Sequence, residues 1–141
     1  MKDGDFEAAA AILKKGSSGE PYCEGWGYGK ALSRVKELFE ISAEYCFVAE
    51  NGKETIGIIL CSAFTHDDGL RGFVDELWVL PEHQKKGVGT LLLAQAEKTF
   101  LKKGAKKLLL LSHTGTWPFD FYLAKGYTKD KYVLMEKTLK K

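Results

Sequence analysis

The segment Phe73–Lys103, FVDELWVLPEHQKKGVGTLLLAQAEKTFLKK, decides how this chain folds. Phe73–Leu80 is rich in β-forming residues, Pro81–Thr90 (PEHQKKGVGT) is a basic, glycine-containing loop, and an amphipathic helix opens directly off that loop. Downstream, Gly104 follows Lys102 and Lys103, the placement of a helix stop with cations in the last turn. The short apolar run Lys106–Ser112 (KKLLLLS) then reads as a buried parallel strand, giving a strand–helix–strand crossover of right-handed sense.

Upstream, Tyr45–Glu50 and Glu54–Phe64 are β-rich runs joined by Asn51-Gly52, a hairpin dipeptide, and His66–Gly69 is turn chemistry before a strand over Gly72–Leu80. Two helices are expected ahead of this meander. One covers Phe6–Lys15, with Asp5 as N-cap and Gly16 as stop; the other covers Ala31–Ile41, with Leu32, Val35, Leu38 and Phe39 on one face. Between them, Gly16–Gly29 (GSSGEPYCEGWGYG) is irregular, and its aromatics Tyr22, Trp26 and Tyr28 either line a pocket or pin the loop. Past the crossover, Thr116–Lys125 reads as a short helix with Pro118 in its first turn and Gly126 at its end, and Tyr127–Thr138 as final strands turning near Asp130. The whole is one α+β domain spanning residues 1–141, a mixed sheet of antiparallel meander and βαβ unit flanked by helices.

Composition narrows the function. A net charge of +2 gives no reason to expect nucleic-acid or membrane-surface binding. No apolar run reaches the roughly 18 residues that span a bilayer, and MKDGDFEAAA lacks a signal-peptide pattern. Cys23, Cys46 and Cys61 show no CxxC spacing, which argues against a disulfide framework or zinc site and for a reducing, cytoplasmic setting. His66 and His83 lack partners at ligand spacing, so no metal is expected.

The glycine loop carries the chemistry. The first N–H groups of a helix have no internal partner and form its positive end, yet Lys85 and Lys86 precede that end. A bound anion resolves the conflict, and Gly87 and Gly89 leave room for it; a turn with two solvated lysines is the other reading. A Walker A loop is excluded because GxxxxGK[ST] is absent, and a dinucleotide fingerprint because Leu92 stands where its third glycine belongs.

What remains is QxxGxG, Gln84–Gly89, after a strand ending Leu77-Trp78-Val79-Leu80-Pro81, and ELWVLPEHQKKGVGTLL resembles the acetyl-CoA-binding motif of the GNAT superfamily of N-acetyltransferases. FYLAKGY at Phe121–Tyr127 resembles that family's C-terminal FYxKxGF block, in the right order. The resemblance covers about residues 52–138; residues 5–44, the acceptor side, match in element order only. It implies that main-chain amides from Lys86, Gly87, Val88, Gly89 and Thr90 hold the coenzyme pyrophosphate, with Gln84 and Lys85 supporting them. It further implies that the main chain of Leu77-Trp78-Val79 pairs with the pantetheine arm and faces the thioester oxygen, a type of donor worth about 3–4 kcal/mol.

Tyr122 matches the family's general acid, and a phenol of pKa about 10 suits protonation of a departing thiolate. A core aromatic beside Phe119 and Phe121 is the alternative. For the base, Asp75 and Glu76 are candidates, and the register in which members of the family tend to carry a base on this strand favours Asp75. Strict alternation puts Asp75 on a face with Phe73, Leu77 and Val79 and Glu76 with Val74 and Trp78, unless a bulge resets the parity. Either residue can instead attract a cationic substrate or stay solvated, and His113 reads as an ordinary loop histidine.

Two departures stand out: the family's usual first strand is missing or very short, and Gly115–Pro118 replaces the asparagine often found at the last helix. The implied function is acetyl transfer from acetyl-CoA directly to a primary amine of a small molecule, aminoglycoside- or polyamine-like. A protein or peptide amine as acceptor, or a non-catalytic coenzyme-binding module, are the alternatives, and a homodimer stays open.

Overall fold

The computed structural model describes residues 1–140. The chain forms two compact units, Met1–Leu111 and one beginning at Ser112. In the first, α1 (Phe6–Ser18) and α2 (Tyr28–Ser42) precede β1 (Cys46–Asn51), β2 (Glu54–His66), β3 (Gly69–Val79), α3 (Val88–Lys102) and β4 (Lys107–Leu110). The sheet order is β1-β2-β3-β4, antiparallel across the first two pairings and parallel across the third, so the mixed α+β architecture expected from the sequence is the one observed. Before β1 the described residues hold helices alone, consistent with the missing first strand.

α1 and α2 cover one face of the sheet. Ala9, Leu13, Val35 and Leu38 pack there against Ile58, Leu60 and Trp78 in one buried cluster. α1 runs through Gly16, the expected stop, to Ser18. A Cβ on Gly16 would lie 2.9 Å from the Trp78 ring, so that glycine serves a close approach between helix and sheet. The expected Asp5 cap is also differently employed: its carboxylate accepts the Lys2 N–H at 2.8 Å and makes no bond into α1.

α3 covers the other face. A Cβ on Gly57 would touch Leu92 and Val88, and one on Gly72 would lie 2.6 Å from the Phe100 ring. Phe100 is buried and stacks flat on Tyr45, ring centroids 4.1 Å apart. α3 ends as expected around Gly104 (φ +85): Ala105 N–H donates to the Phe100 carbonyl and Gly104 N–H to that of Leu101, closing the last turn. The β1–β2 turn falls one residue later than Asn51-Gly52, because Asn51 still pairs with Glu54 and leaves Gly52 (φ +63) and Lys53 at the tip.

In the second unit, α4 (Trp117–Ala124) carries Pro118 in its first turn and closes at Gly126 (φ +93), with Tyr127 N–H donating to the Tyr122 carbonyl. The final strands expected over Tyr127–Thr138 do not form. Tyr132, Val133, Leu134 and Met135 are exposed, Met135 by 88%. β propensity expresses a fit to a pleated neighbour, and without a ladder partner it creates no strand.

The Gly72 contact yields a prediction. Because Tyr45 blocks the ring from tilting away, Gly72→Ala should cost about 1–3 kcal/mol in a urea denaturation curve, and trimming Phe100→Leu in the same chain should recover part of that loss.

Candidate active site

β3 contains one residue too many for its partner. Leu60 pairs with Glu76 and the adjacent Cys61 pairs with Val74, so Asp75 is the extra residue of a bulge. Alternation restarts there. Gly72 and Val74 lie on the α3 face; beyond the bulge Leu77 and Val79, opposite Ile59 and Gly57, occupy that face, while Glu76 and Trp78, opposite Leu60 and Ile58, turn toward α1 and α2. Uninterrupted alternation, which groups Glu76 with Val74 and aligns Asp75 with Leu77, is therefore corrected by the bulge.

The bulge leaves both carboxylates in low-dielectric surroundings. Glu76 Oε2 accepts the Trp78 indole N–H at 2.7 Å, and Oε1 lies 3.4 Å from Arg34 Nε of α2. Its side chain is only 12% exposed. Burial pushes the Glu76 carboxyl above the usual carboxylate range, against the opposing pull of the indole and of Arg34. Asp75 is bonded to Ser62 and is also raised by burial, and its Oδ2 is buried with no hydrogen-bond partner.

The irregular segment between α1 and α2 borders this group. Tyr22 meets Trp78 edge to face, centroids 4.6 Å apart, which favours the pinning reading for that aromatic. Its phenol is pushed up to about 12 by burial and by Glu24 and Glu76, so it stays protonated at neutral pH. Trp26 donates its indole N–H to Glu24 at 2.9 Å, and Tyr28 opens α2. Sequence reasoning did not single out Arg34 or Glu24. The glycine- and aromatic-rich loop signalled the second; no pattern marked the first, which sits among ordinary polar positions of an amphipathic helix.

On its other side β3 is open. β4 pairs with Arg71 through Val74 and stops, so Asp75–Val79 has no strand partner there among the described residues. Leu80 N–H donates to Ile56 of β2 at 2.9 Å. By antiparallel alternation, the main-chain groups of Leu77 and Val79 point the opposite way, to the open side. Gln84 takes one of them: its side-chain amide donates to the Val79 carbonyl at 3.0 Å. The residue expected to support a phosphate thus braces the loop against the strand it leaves.

That loop delivers the start of α3. Gly87 is the N-cap, in the left-handed region at φ +90, and Leu91 N–H makes the first helical bond back to its carbonyl. The N–H groups of Val88, Gly89 and Thr90 precede that bond. Lys85 (φ +59) and Lys86 are exposed and form no ion pair among the described residues. Open strand edge and positive helix end are consecutive, so an extended, amide-bearing ligand with a diphosphate group finds partners in both. Tyr122 lies in the second unit, on α4, with ring contacts to Phe121 at 5.2 Å and Tyr127 at 5.8 Å. His113 is exposed in the loop before α4, as an ordinary loop histidine should be.

Asp75 permits a pH test. Its folded-state pKa is raised, so its ionised form opposes folding, and that opposition is relieved as pH falls through the folded value toward the unfolded one. Asp75→Asn should remove this effect: wild type should lose stability relative to the variant as pH rises above the ordinary carboxylate value of about 4 in paired denaturation curves. Parallel curves would show that Asp75 titrates alike in both states.

The acetyltransferase (GNAT) family profile matches residues 19–121. No curated protein sequence matches the chain. Solved structures do. Aminoglycoside 6'-N-acetyltransferase AAC(6')-IG from Acinetobacter haemolyticus superposes with TM-score 0.77 at 16% identity, over 99% of this chain and 97% of that one. AAC(6')-Iy, in complex with the bisubstrate analog CoA-S-monomethyl-acetylneamine, gives 0.75 at 20% identity, over 99% and 95%. A transcriptional regulator from Bacillus halodurans gives 0.77 at 20%, over 98% and 96%, so the shared fold by itself does not select an acceptor. The family profile spans most of the chain, from the irregular segment after α1 into α4, and the chain belongs to the GNAT acetyltransferase family.

Proposed function

We propose that the chain moves an acetyl group from acetyl-CoA directly to the primary amine of a small molecule. The observation that carries this reading is the edge of β3 at Leu77 and Val79, without a strand partner among the described residues, running straight into the Gly87-capped start of α3. Acetyl-CoA supplies a thioester carbonyl for the amine to attack and a thiolate that must leave with a proton. The N–H groups of Val88, Gly89 and Thr90, with those of Lys86 and Gly87, hold the diphosphate, and the charges of Lys85 and Lys86 add to the helix dipole there. The Leu77 and Val79 main chain aligns the extended arm as an added strand, and a fixed N–H on that edge stabilises negative charge as it develops on the carbonyl oxygen.

Glu76 receives the proton that the acceptor amine loses, directly or through water, since a carboxylate raised by burial is a better base than an exposed one. Asp75, bonded to Ser62, stands beside it as the second acidic group and adds to the attraction for a cationic amine. Tyr122 donates the proton to the leaving thiolate; the segment FYLAKGY supports this assignment, with the phenol's ordinary acidity. The acceptor enters against the segment between α1 and α2, where Glu24 and the aromatics Tyr22 and Trp26 suit an organic cation. An aminoglycoside- or polyamine-like acceptor meets that description. The named activities of the two aminoglycoside acetyltransferases of like fold agree with it.

Two substitutions separate binding from chemistry. Gly87→Glu forces a side chain into a left-handed position, at about 1–2 kcal/mol, and brings a negative charge to the helix start. It should abolish acetyl-CoA binding by calorimetry while the far-UV circular dichroism stays native. Tyr122→Phe should leave that binding intact and lower kcat by about 10²-fold or more in a thiol-release assay with an amine panel. Undiminished kcat in the Tyr122→Phe chain would remove Tyr122 from the mechanism, and wild type that binds no acetyl-CoA would overturn the whole reading.

A further inference from the structure

Glu76 is gripped from two elements. Trp78, two residues along the same strand and beyond the bulge, donates its indole N–H to one carboxylate oxygen at 2.7 Å. Arg34 reaches in from α2 to the other oxygen through Nε, at 3.4 Å. The short indole bond holds one oxygen, and the longer Nε contact brings a positive charge from a different element to the other. Trp78 is itself immobilised, buried against Gly16 of α1 and met edge to face by Tyr22. The guanidinium is held less tightly: 34% of the Arg34 side chain remains exposed, and its Nε is the atom engaged with Glu76.

The charges around Glu76 are few, and their signs conflict. Arg34 from α2 is the cation acting on it; Glu24, from the segment between α1 and α2, opposes it with a second negative charge. Asp75, the bulge residue beside it on β3, also feels Arg34 as its attractive charge. Tyr22 from the same segment between the helices faces the group as a neutral phenol. One guanidinium therefore balances two carboxylates that the bulge leaves side by side, in a setting where burial alone favours their protonated forms.

We propose that Arg34 is a positioning residue for the acetyl-transfer site, fixing the orientation and the charge of Glu76 from outside the strand that carries it. This rests on the reading of Glu76 as the proton acceptor, and goes beyond it by assigning a helix α2 residue to the same site. The Nε contact is suited to the task. A long Nε contact at one oxygen supplies charge without the fork-to-fork grip that would block that oxygen, so the carboxylate is oriented and remains able to accept a proton. A brace acting only through the packing of the Arg34 stem would join the two elements and leave the titration of Glu76 where it was.

The experiment follows the Glu76 side-chain carboxyl by carbon NMR across pH, its signal assigned through Glu76→Gln, in wild type, Arg34→Gln and Arg34→Lys. Arg34→Gln keeps a donor and removes the charge, so the Glu76 midpoint should rise by about one pH unit or more, a tenfold change in its protonation equilibrium. Arg34→Lys restores the charge without the Nε geometry and should bring the midpoint most of the way back. Should Arg34→Gln not fold, Arg34→Met, which keeps the apolar stem, replaces it. An unmoved midpoint in a folded neutral variant overturns the proposal and leaves Arg34 a brace.

The same proteins are then assayed for thiol release against pH. The acid limb of kcat/KM should shift upward in step with the NMR midpoint, with acetyl-CoA affinity unchanged. A midpoint that moves while the acid limb stays still would support the control of Glu76 by Arg34 and overturn Glu76 as the proton acceptor. The failure of that earlier reading is thus distinguished from the failure of this one.

Discussion

In an antiparallel ladder each residue faces opposite to its neighbours, and one inserted residue reverses every side chain that follows. Asp75 is that residue in β3. Without it, Glu76 and Trp78 would lie under α3 with Gly72 and Val74, and Leu77 and Val79 would turn toward α1 and α2. With it, the small residues needed beneath Phe100 and the acidic residue needed beside the segment between the helices occupy opposite faces of one strand. The cost falls on Asp75, whose Oδ2 is buried without a partner, a polar debt of the kind tolerated at functional sites.

The strand has a second asymmetry, set by length. β3 extends from Gly69 to Val79, whereas β4 offers four residues and pairs only as far as Val74. The end of β3 is therefore supported by β2 on one edge and has no strand partner on the other among the described residues, and Gln84 ties the departing loop to it through the Val79 carbonyl. A short β4 and a braced loop produce, from ordinary ladder geometry, a row of main-chain groups that leads into the positive end of a helix.

Much of this was legible in the sequence, because it depends on local signals. The meander, the glycine loop, the helix over its apolar spacing and the parallel strand after Gly104 each follow from turn residues, periodicity and capping. The parts that were not legible depend on contacts between distant residues. Gly16 reads as a stop by local rules, and only the approach of Trp78 shows why a glycine stands inside α1. The bulge has no signature in FVDELWV, since it is a property of the pairing with β2. Arg34 is one of several polar positions on an amphipathic helix until the fold brings it to Glu76. Tyr127–Thr138 shows the opposite error: its residues carry strand propensity, and no partner strand meets them.

The edge contact of Tyr22 with Trp78 divides the first unit into parts with different freedom to change. Gly16, against Trp78, and Gly72, against Phe100 on the opposite face of the sheet, leave no room for even a methyl group, so sequence drift in the framework is penalised at once. Most of the segment from Gly19 to Gly27 is exposed, anchored by Tyr22 on Trp78, by Trp26 packed against the core and by the Glu24 N–H donating to the Ser17 carbonyl. Its exposed positions other than Tyr22 make no contact with the buried cluster that holds the strand in place. If the acceptor enters there, as proposed, specificity changes by rewriting the exposed part of one short surface segment, at little cost to stability.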